Sequence, residues 1–308
     1  MAAKKTKLKE NAQCWADLWT ASVKKSDPAA DKQQAARWNE RADHFGKGGD
    51  DERRQKKADD VMGLLKEAGF SPKGKKVLDI GCGPGALSIP LARNGAKVTA
   101  LDVASGMLDR LKETIAKENL SITTVEASWY SADIDKLGYR KKFDLVIASM
   151  TPAVRDLETF DRMMACSKKY CYYSNFIKRD MGSGKGHMEL HKILGESSTA
   201  KRPGHGDPDH GPAGHEHGGG PGMVYPFMYL YTLGYLPILK LNHASRHQEL
   251  PWAEAADKMI DGMEKRHPLS GDIKKKIRAF YKDNSPDGTY RSDSDTYSGM
   301  MVWRVDKH

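Results

Sequence analysis

The residues with the clearest chemical potential are one aspartate and the three glycines that follow it. Asp79 lies near the end of a short apolar run, and Gly81, Gly83 and Gly85 come directly after that run. Glycines tolerate positive φ angles and let the backbone approach a ligand closely. Apolar residues then recur at helical spacing, so the loop leads into a helix whose free N–H groups favour polar ligands. The stretch predicts a strand, a tight turn and a helix, the opening of a nucleotide-binding βα unit.

Two classes of ligand fit this loop. The spacing of Gly81, Gly83 and Ala86 satisfies the dinucleotide pattern, so NAD and FAD remain alternatives. The position of Asp79 separates the two classes. A carboxylate two residues before the first glycine repels a pyrophosphate, whereas it attracts the ammonium group of a methionine moiety.

The stretch from Val77 to Gly85, VLDIGCGPG, resembles motif I of the class I methyltransferases that depend on S-adenosylmethionine (SAM). This resemblance implies a Rossmann-like, seven-stranded, mostly parallel α/β sheet with helices on both faces. It also implies SAM as the methyl donor and S-adenosylhomocysteine as the product. The motif-level resemblance covers residues 70–175, and the C-terminal third follows the family only in the order of its elements. The implied cofactor-binding residues of the loop are Asp79, Gly81, Cys82, Gly83, Pro84 and Gly85.

Further cofactor contacts are expected after the second and third predicted strands. Asp102 closes strand 2, where one carboxylate accepts both ribose hydroxyls and excludes a 2′-phosphate, which disfavours NADP. The resemblance implies that Met107 packs on the adenine face, although a core role explains it nearly as well. Family members usually carry an Asp near Ser128, so here the Ser128 hydroxyl and the adjacent backbone are expected to hold the adenine. Trp129 either covers the adenine ring or belongs to the core.

Strands alternate with helices of ten to fifteen residues, which predicts a parallel sheet covered on both faces. Residues 1–70 are predicted to form a helical cap, with residues 1–10 disordered, and residues 71–308 the methyltransferase domain. The family resemblance implies that Trp38–Phe45 cover the cofactor, although core packing explains these aromatic residues equally well. The predicted strands are 76–80, 97–101, 122–126, 143–148, 170–174, 238–243 and 299–305.

Residues 178–222 interrupt this alternation with a long stretch rich in Gly, His and Pro. Such an insertion is typical of a lid or binding loop, and we expect a flap that closes over the acceptor. His187 and His191 lie four residues apart, and four further histidines follow, so zinc or nickel binding is an alternative. Flexible His-rich tracts also bind metals adventitiously, so no metal ligand is assigned.

The end of strand 4, Ala148-Ser149-Met150-Thr151-Pro152, is where class I enzymes present groups to the acceptor. It lacks the Asn/Asp-Pro-Pro-aromatic signature of amino-methylating enzymes and the Pro-Cys pair of RNA cytosine C5 enzymes. These absences favour a small-molecule acceptor. A general base is needed only for an acceptor that is protonated at the working pH. No catalytic residue is assigned. The candidates for a general base are His44, Asn175, Tyr225, His187 and His191.

Composition limits the remaining classes of function. The chain has 308 residues and a net charge of +9, and residues 1–76 hold 18 basic and 12 acidic side chains. This mixed charge has no aromatic interleaving, so no nucleic-acid partner is expected. Four irregularly spaced cysteines, no apolar leader and no uninterrupted apolar span predict a cytoplasmic enzyme without membrane attachment. An RNA or protein methyltransferase and a non-catalytic SAM- or metal-binding protein remain alternatives, and the oligomeric state is not predicted.

Overall fold

The computed structural model describes residues 2–23, 28–42, 51–180, 193, 222–264 and 268–306. Three helices come first: α1 (Ala2–Ser22), α2 (Pro28–Ala42) and α3 (Asp51–Glu67). The prediction of disorder for residues 1–10 is wrong, because α1 already begins at Ala2. Alanine, lysine, leucine and glutamate dominate this segment, and all four are strong helix formers.

The remaining elements alternate in the predicted order. The strands are β1 (Lys76–Ile80), β2 (Lys97–Asp102), β3 (Ile122–Glu126), β4 (Phe143–Ser149), β5 (Ser167–Asp180), β6 (Ile238–Pro251) and β7 (Thr289–Arg304). The helices are α4 (Ser88–Arg93), α5 (Ser105–Glu118), α6 (Leu157–Cys166), α7 (Val224–Thr232), α8 (Trp252–Glu264) and α9 (Gly271–Asp283).

The seven strands form one sheet in the order β3-β2-β1-β4-β5-β7-β6. Strands β1 to β5 pair in parallel, and Asp79 of β1 lies opposite Ala100 of β2 and Ile147 of β4. The predicted fold class, a mostly parallel seven-stranded α/β sheet, is confirmed. The strand order reverses between β1 and β4, and parallel α/β sheets bind their ligands outside the carboxyl ends of the strands at such a switch point.

The central strands are buried because helices cover both faces of the sheet. Four of the five residues of β1 are fully or almost fully buried, and three of these four are apolar, the exception being Asp79. One face packs against residues of α3, α4 and α5. The other packs against Trp19 of α1, Phe160 of α6 and Leu230 of α7. The N-terminus of α6 is fixed by a capping box between Asp156 and Thr159.

Strands β6 and β7 are much longer than the sequence predicted. Glu249 bonds Arg291, His247 bonds Asp293 and His243 stacks on Tyr297, so the numbers fall along one strand as they rise along the other. The two strands therefore run antiparallel. Most side chains of β6 are polar or exposed, so the apolar alternation used to predict strands is absent from most of its length.

The chain divides into two compact units: residues 1–177 with 220–241 and 298–308, and residues 178–219 with 242–297. The second unit has its own small core, formed by apolar residues of α8 and α9. The predicted division at residue 70 stays a prediction. The predicted flap of residues 178–222, with His187 and His191, lies outside the described residues except at its two ends and at Ile193. Among the described helices, none combines the length and the apolar character that crossing a bilayer requires.

Candidate cofactor site

The glycine loop joins β1 to α4, and its three glycines all have positive φ angles of 65°, 54° and 93°. A Cβ on Gly81 would lie 2.0 Å from Thr151 Oγ1, and one on Gly85 would lie 2.5 Å from Leu111 Cδ1. A Cβ on Gly83, in contrast, would meet no atom of the described residues within 4 Å. The first and third glycines are therefore required by packing within the protein, whereas Gly83 borders open space in which a ligand can approach the backbone.

Asp79 lies beneath this loop with only 3% of its surface exposed. Its Oδ2 accepts a 2.7 Å hydrogen bond from the Ser88 hydroxyl at the first residue of α4. Burial raises the pKa of Asp79 to about 7, the hydrogen bond from Ser88 lowers it, and the charge of Asp102 raises it further. A cationic group placed beside Asp79 would stabilise the ionised carboxylate, as expected of a ligand that carries an ammonium group.

Asp102, the last residue of β2, is 8% exposed and is oriented by two backbone N–H groups. Gly83 N donates to its Oδ2 at 2.8 Å, and Ala104 N donates to its Oδ1 at 2.9 Å. Burial raises the pKa of Asp102, whereas the N–H groups of Ala104 and Gly83 lower it. Each carboxylate oxygen accepts more than one hydrogen bond, so Asp102 retains the capacity to bind two hydroxyl groups of a ligand.

Cys82 and Pro84 shape the loop without offering a reactive group. Cys82 is buried, and its Sγ lies 3.4 Å from the Gly83 carbonyl oxygen that accepts its hydrogen bond. Burial raises the pKa of the Cys82 thiol, and the charges of Asp79 and Asp102 raise it further. A thiol held protonated in this way is a poor nucleophile. Pro84 is half-buried in the turn that follows Gly83.

The sequence around this loop resembles that of a known protein family. Residues 77–169 match the family model described as a methyltransferase domain. These residues form a class I methyltransferase domain. The predicted family, SAM-dependent methyltransferases of class I, is thereby confirmed for this part of the chain.

Relatives and solved structures resemble the chain over different lengths. Ubiquinone biosynthesis O-methyltransferase of Methylocella silvestris is 46% identical over 74 residues, which are 22% of this chain and 28% of that protein. Ribosomal protein L11 methyltransferase of Phocaeicola vulgatus is 39% identical over 79 residues, 25% of this chain and 27% of that protein. The structure of magnesium protoporphyrin IX methyltransferase from Synechocystis with bound S-adenosylhomocysteine is 16% identical, with a TM-score of 0.42 over 88% of this chain and 94% of that one. The chain spans 38% or less of the length of the curated relatives it matches first.

Helix α2 lies next to the methyltransferase domain at the start of α5. The side-chain oxygen of Asn39 accepts a 2.9 Å hydrogen bond from Gly106 N. Met107 is buried in a small cluster with Trp38, Ala42 and Ala104. The structure thus places Met107 in contact with α2, three residues after Ala104, whose N–H group donates to Asp102. Its predicted contact with an adenine ring remains a prediction.

The structure places Ser128 and Trp129 in the turn after β3, with different roles. Ser128 Oγ accepts a hydrogen bond from Tyr130 N at 3.3 Å and so closes the turn. The Trp129 indole is buried against α6, and its Nε1 donates to the Thr159 carbonyl oxygen at 3.1 Å. For Trp129 the structure supports the core interpretation rather than a ring cover. Arg162 donates to the carbonyl oxygens of Trp129 and Tyr130 and so holds this turn in place.

Thr151 belongs to the stretch after β4 where the acceptor was expected, but its contact with the glycine loop was not predicted. It follows Met150, which has a positive φ of 50°, a strained conformation for a side chain of this size. The strain turns the chain at the end of β4 so that Thr151 packs against Gly81. Ser149 Oγ lies 3.0 Å from Ser174 Oγ on the neighbouring strand. A polar residue directly after a buried strand was the available signal.

Among the described residues, the candidate general bases are engaged elsewhere. Asn175 Nδ2 donates to the Tyr173 hydroxyl at 2.8 Å, and the ring of Tyr225 packs edge-on against Trp15 at 6.4 Å. His44, His187 and His191 lie outside the described residues. No group of three His, Cys, Asp or Glu side chains within the described part of the chain is arranged to hold a metal ion.

Proposed function

We propose that this protein transfers a methyl group from SAM to a small-molecule acceptor, and that both bind at the carboxyl ends of strands β1, β2 and β4. The observation that carries the proposal is the Asp102 carboxylate, which two backbone N–H groups hold beside the open face of Gly83. A carboxylate in this position could accept hydrogen bonds from both hydroxyls of a ribose, while the rest of the ligand lies close to the Gly83 backbone.

Three residues at the ends of β1 and β2 would each contact a different part of SAM. Asp102 would accept hydrogen bonds from the two ribose hydroxyls. The space at Gly83 would admit the methionine chain, because no atom in the described part of the chain lies within 4 Å of the position that a Cβ would take. Asp79 would face the ammonium group, whose positive charge offsets the cost of ionising a buried carboxylate. Met107, Ser128 and Cys82 are expected to contribute packing and turn geometry.

The chain's own contribution to the reaction would be orientation and exclusion of water. When bound, SAM would supply an electrophilic methyl group for in-line attack by a lone pair of the acceptor. Positioning alone accounts for a large share of the acceleration of such displacements. Residues at the end of β4, including Ser149 and Thr151, lie where parallel sheets present groups to a second substrate.

A small-molecule acceptor is favoured over RNA or protein by the chain after β4. Ser149-Met150-Thr151-Pro152 lacks the signatures that amino-methylating and cytosine-methylating enzymes carry there. The Methylocella silvestris relative bears the name of a ubiquinone biosynthesis O-methyltransferase, which is consistent with this choice. The Phocaeicola vulgatus relative bears the name of a ribosomal protein methyltransferase, so the experiment must include a protein arm.

The proposal is tested by measuring S-adenosylhomocysteine formation with a cell extract divided into three acceptor pools. The pools are metabolites below 3 kDa (roughly the cut-off of a standard ultrafilter, far below a folded domain), purified RNA and purified protein. We expect turnover with the metabolite pool, none with the other two, and its loss in the Asp102→Asn variant. Turnover confined to RNA or protein would overturn the choice of acceptor, and S-adenosylhomocysteine binding without turnover in any pool would indicate a binding protein.

A further inference from the structure

Arg155 lies in the loop between β4 and α6, four residues after Thr151. Its backbone is fixed at both ends: Arg155 N donates to Thr159 Oγ1 at 3.2 Å, and its carbonyl oxygen accepts from Trp19 Nε1 at 3.1 Å. The guanidinium carbon lies 4.2 Å from the centre of the Tyr130 ring, a cation–π contact. Only 20% of the side chain is exposed. The guanidinium group is therefore held in place on a loop at the carboxyl edge of the sheet.

Two donors of this guanidinium group have no hydrogen-bond acceptor among the residues that the structure describes. These donors, Nε and Nη2, are both buried. The adjacent carboxylate of Asp156 comes no closer than 3.8 Å, between its Oδ2 and Nε, which is too long for a hydrogen bond. Asp156 is also committed elsewhere, because its Oδ1 accepts from Thr159 N at 2.9 Å and caps α6.

Nε and Nη2 form the edge of arginine that binds a carboxylate with two parallel hydrogen bonds. Three other arginines of this chain use these same two atoms in that way. Their N···O distances are 2.6–2.9 Å in each case, and the pairs are Arg93–Glu118, Arg140–Asp135 and Arg304–Asp306. All three pairs lie at the surface, whereas the corresponding edge of Arg155 is buried and has no carboxylate bound to it.

A buried charged donor without an acceptor is costly, and arginine does not relieve the cost by losing its proton. A ligand that supplies the missing acceptor would remove this cost. The ligand must carry two acceptor oxygens in one plane, as a carboxylate does. The nearby negative charge of Asp156 offsets part of the charge of Arg155, which favours a monoanion over a phosphate dianion.

We infer that Arg155 binds a carboxylate group of the methyl acceptor through its Nε and Nη2. This inference rests on the proposed function, because it specifies the small molecule that the site accepts. Arg155 is then a specificity-determining residue. Tyr130 would keep the guanidinium plane aligned, and its hydroxyl is fixed by donating to the Pro152 carbonyl oxygen of the same loop. Since the two donors are shielded from water, the acceptor would have to displace surrounding side chains to reach them.

The first test fractionates the acceptor. The metabolite pool is separated on an anion-exchange resin at pH 7.5 (about three units above an ordinary carboxyl pKa), and each fraction is incubated with SAM and the full-length enzyme. Turnover is expected with the retained, anionic fraction. The Arg155→Met variant should lose about 100-fold in initial rate at limiting acceptor, since two charge-assisted bonds disappear. Arg155→Lys should recover only a small part, because lysine cannot bind a carboxylate through two parallel bonds.

Controls separate this inference from the proposed function. Arg140→Met removes an exposed arginine already paired with Asp135 and should keep the wild-type rate. S-adenosylhomocysteine affinity of Arg155→Met should equal that of the wild type. Turnover with only the unretained fraction, or an undiminished rate in Arg155→Met, would overturn the inference while leaving the methyltransferase proposal intact. Lost cofactor affinity in Arg155→Met would also overturn it, because Arg155 would then be structural.

A second test does not depend on turnover. The unfolding temperature of the complex with S-adenosylhomocysteine is measured with benzoate and with benzamide, its uncharged counterpart, at equal ionic strength. Benzoate should raise the unfolding temperature of the wild type and of Arg140→Met, but not that of Arg155→Met. Benzamide should raise none of them. Equal stabilisation of all three variants by benzoate, or none in the wild type, would contradict carboxylate binding at Arg155.

Discussion

The carboxylates at the ends of β1 and β2 differ sharply from those on the paired strands β6 and β7. Asp79 and Asp102 are almost completely buried, and burial raises the pKa of both. Asp295 and Glu249 are exposed, and hydrogen bonds lower their pKa values. The donors are Ser245 and His243 for Asp295, and His247 and Arg291 for Glu249. Acidic residues are thus desolvated in one region and hydrated in the other.

This difference separates carboxylates that cost stability from carboxylates that hardly affect it. A buried acid with a raised pKa opposes folding once it is ionised, so its presence calls for a compensating role. Exposed ion pairs gain little, because water and salt screen them. We therefore attribute ligand binding to the carboxyl ends of the parallel strands β1 and β2, and strand pairing to the polar residues of β6 and β7.

The largest effect is expected from Gly81→Ala, which tests whether packing alone requires the first glycine. Its new Cβ would lie 2.0 Å from Thr151 Oγ1, so the end of β4 would have to move. We expect a loss of about 3 kcal/mol or more in the free energy of unfolding, measured by urea titration. Gly83→Ala is the control, since its Cβ meets no atom and only backbone strain of about 1–2 kcal/mol remains. Equal losses in the two variants would contradict this account of the loop.

Asp79→Asn should stabilise the free protein. The folded-state pKa of Asp79 is about 7, against an ordinary 3.8, so the folded state binds the extra proton between these values. Stability attributable to this group is therefore lost as the pH rises from about 4 to 7. At pH 8 we expect Asp79→Asn to raise the free energy of unfolding by roughly 1–3 kcal/mol, and at pH 4 to change it little.

The same variant should bind S-adenosylhomocysteine more weakly, which would show that the wild type keeps an unfavourable buried acid for binding. Asp295→Asn provides the matched control from the exposed region. Since hydrogen bonds lower the pKa of Asp295, its removal should bring no stabilisation at pH 8 and no change in affinity. If Asp79→Asn lowered the free energy of unfolding at pH 8, this would contradict the claim that the ionised Asp79 destabilises the free protein.

The smallest effect on stability is expected for the exposed ion pairs of His247 in β6. Asp293 and Glu249 raise the pKa of His247 through hydrogen bonds to its two ring nitrogens. Asp293→Asn should lower the His247 pKa toward its ordinary value in an NMR titration, with the unfolding temperature unchanged. Asp287→Asn, which removes a partner of Arg291 instead, should leave the His247 titration as it is. A marked fall in unfolding temperature would show that these pairs matter more for stability than their exposure suggests.

The sequence predicted the bounds of β1, β2 and β4 closely, because burial on both faces makes these strands mostly apolar, and the glycine loop marks where β1 ends. The parallel strand β5 was predicted as residues 170–174 but extends over Ser167–Asp180. Strands β6 and β7 were predicted too short. Their polar side chains are satisfied by each other, as His247 is by Asp293, and such pairing across 46 residues leaves no local pattern.

The site was predictable only where a local sequence pattern marks its residues. Asp79 and the glycines form one motif, and Asp102 is marked by its position at the end of the next strand. The contact of Thr151 with Gly81 and that of Asn39 with Gly106 join distant segments, so no spacing rule reveals them. Trp129 could not be assigned for the same reason, because its position depends on where α6 packs.

The central claim, that Asp102 binds the ribose of SAM, is tested most directly by calorimetry with S-adenosylhomocysteine. We predict binding by the wild-type protein and a loss of about 2–4 kcal/mol in Asp102→Ala, since two charge-assisted hydrogen bonds disappear. Asp295→Ala, an exposed acid of the β6–β7 region, should bind like the wild type, and NAD should produce no heat of binding. Unchanged affinity for S-adenosylhomocysteine in Asp102→Ala would contradict the account.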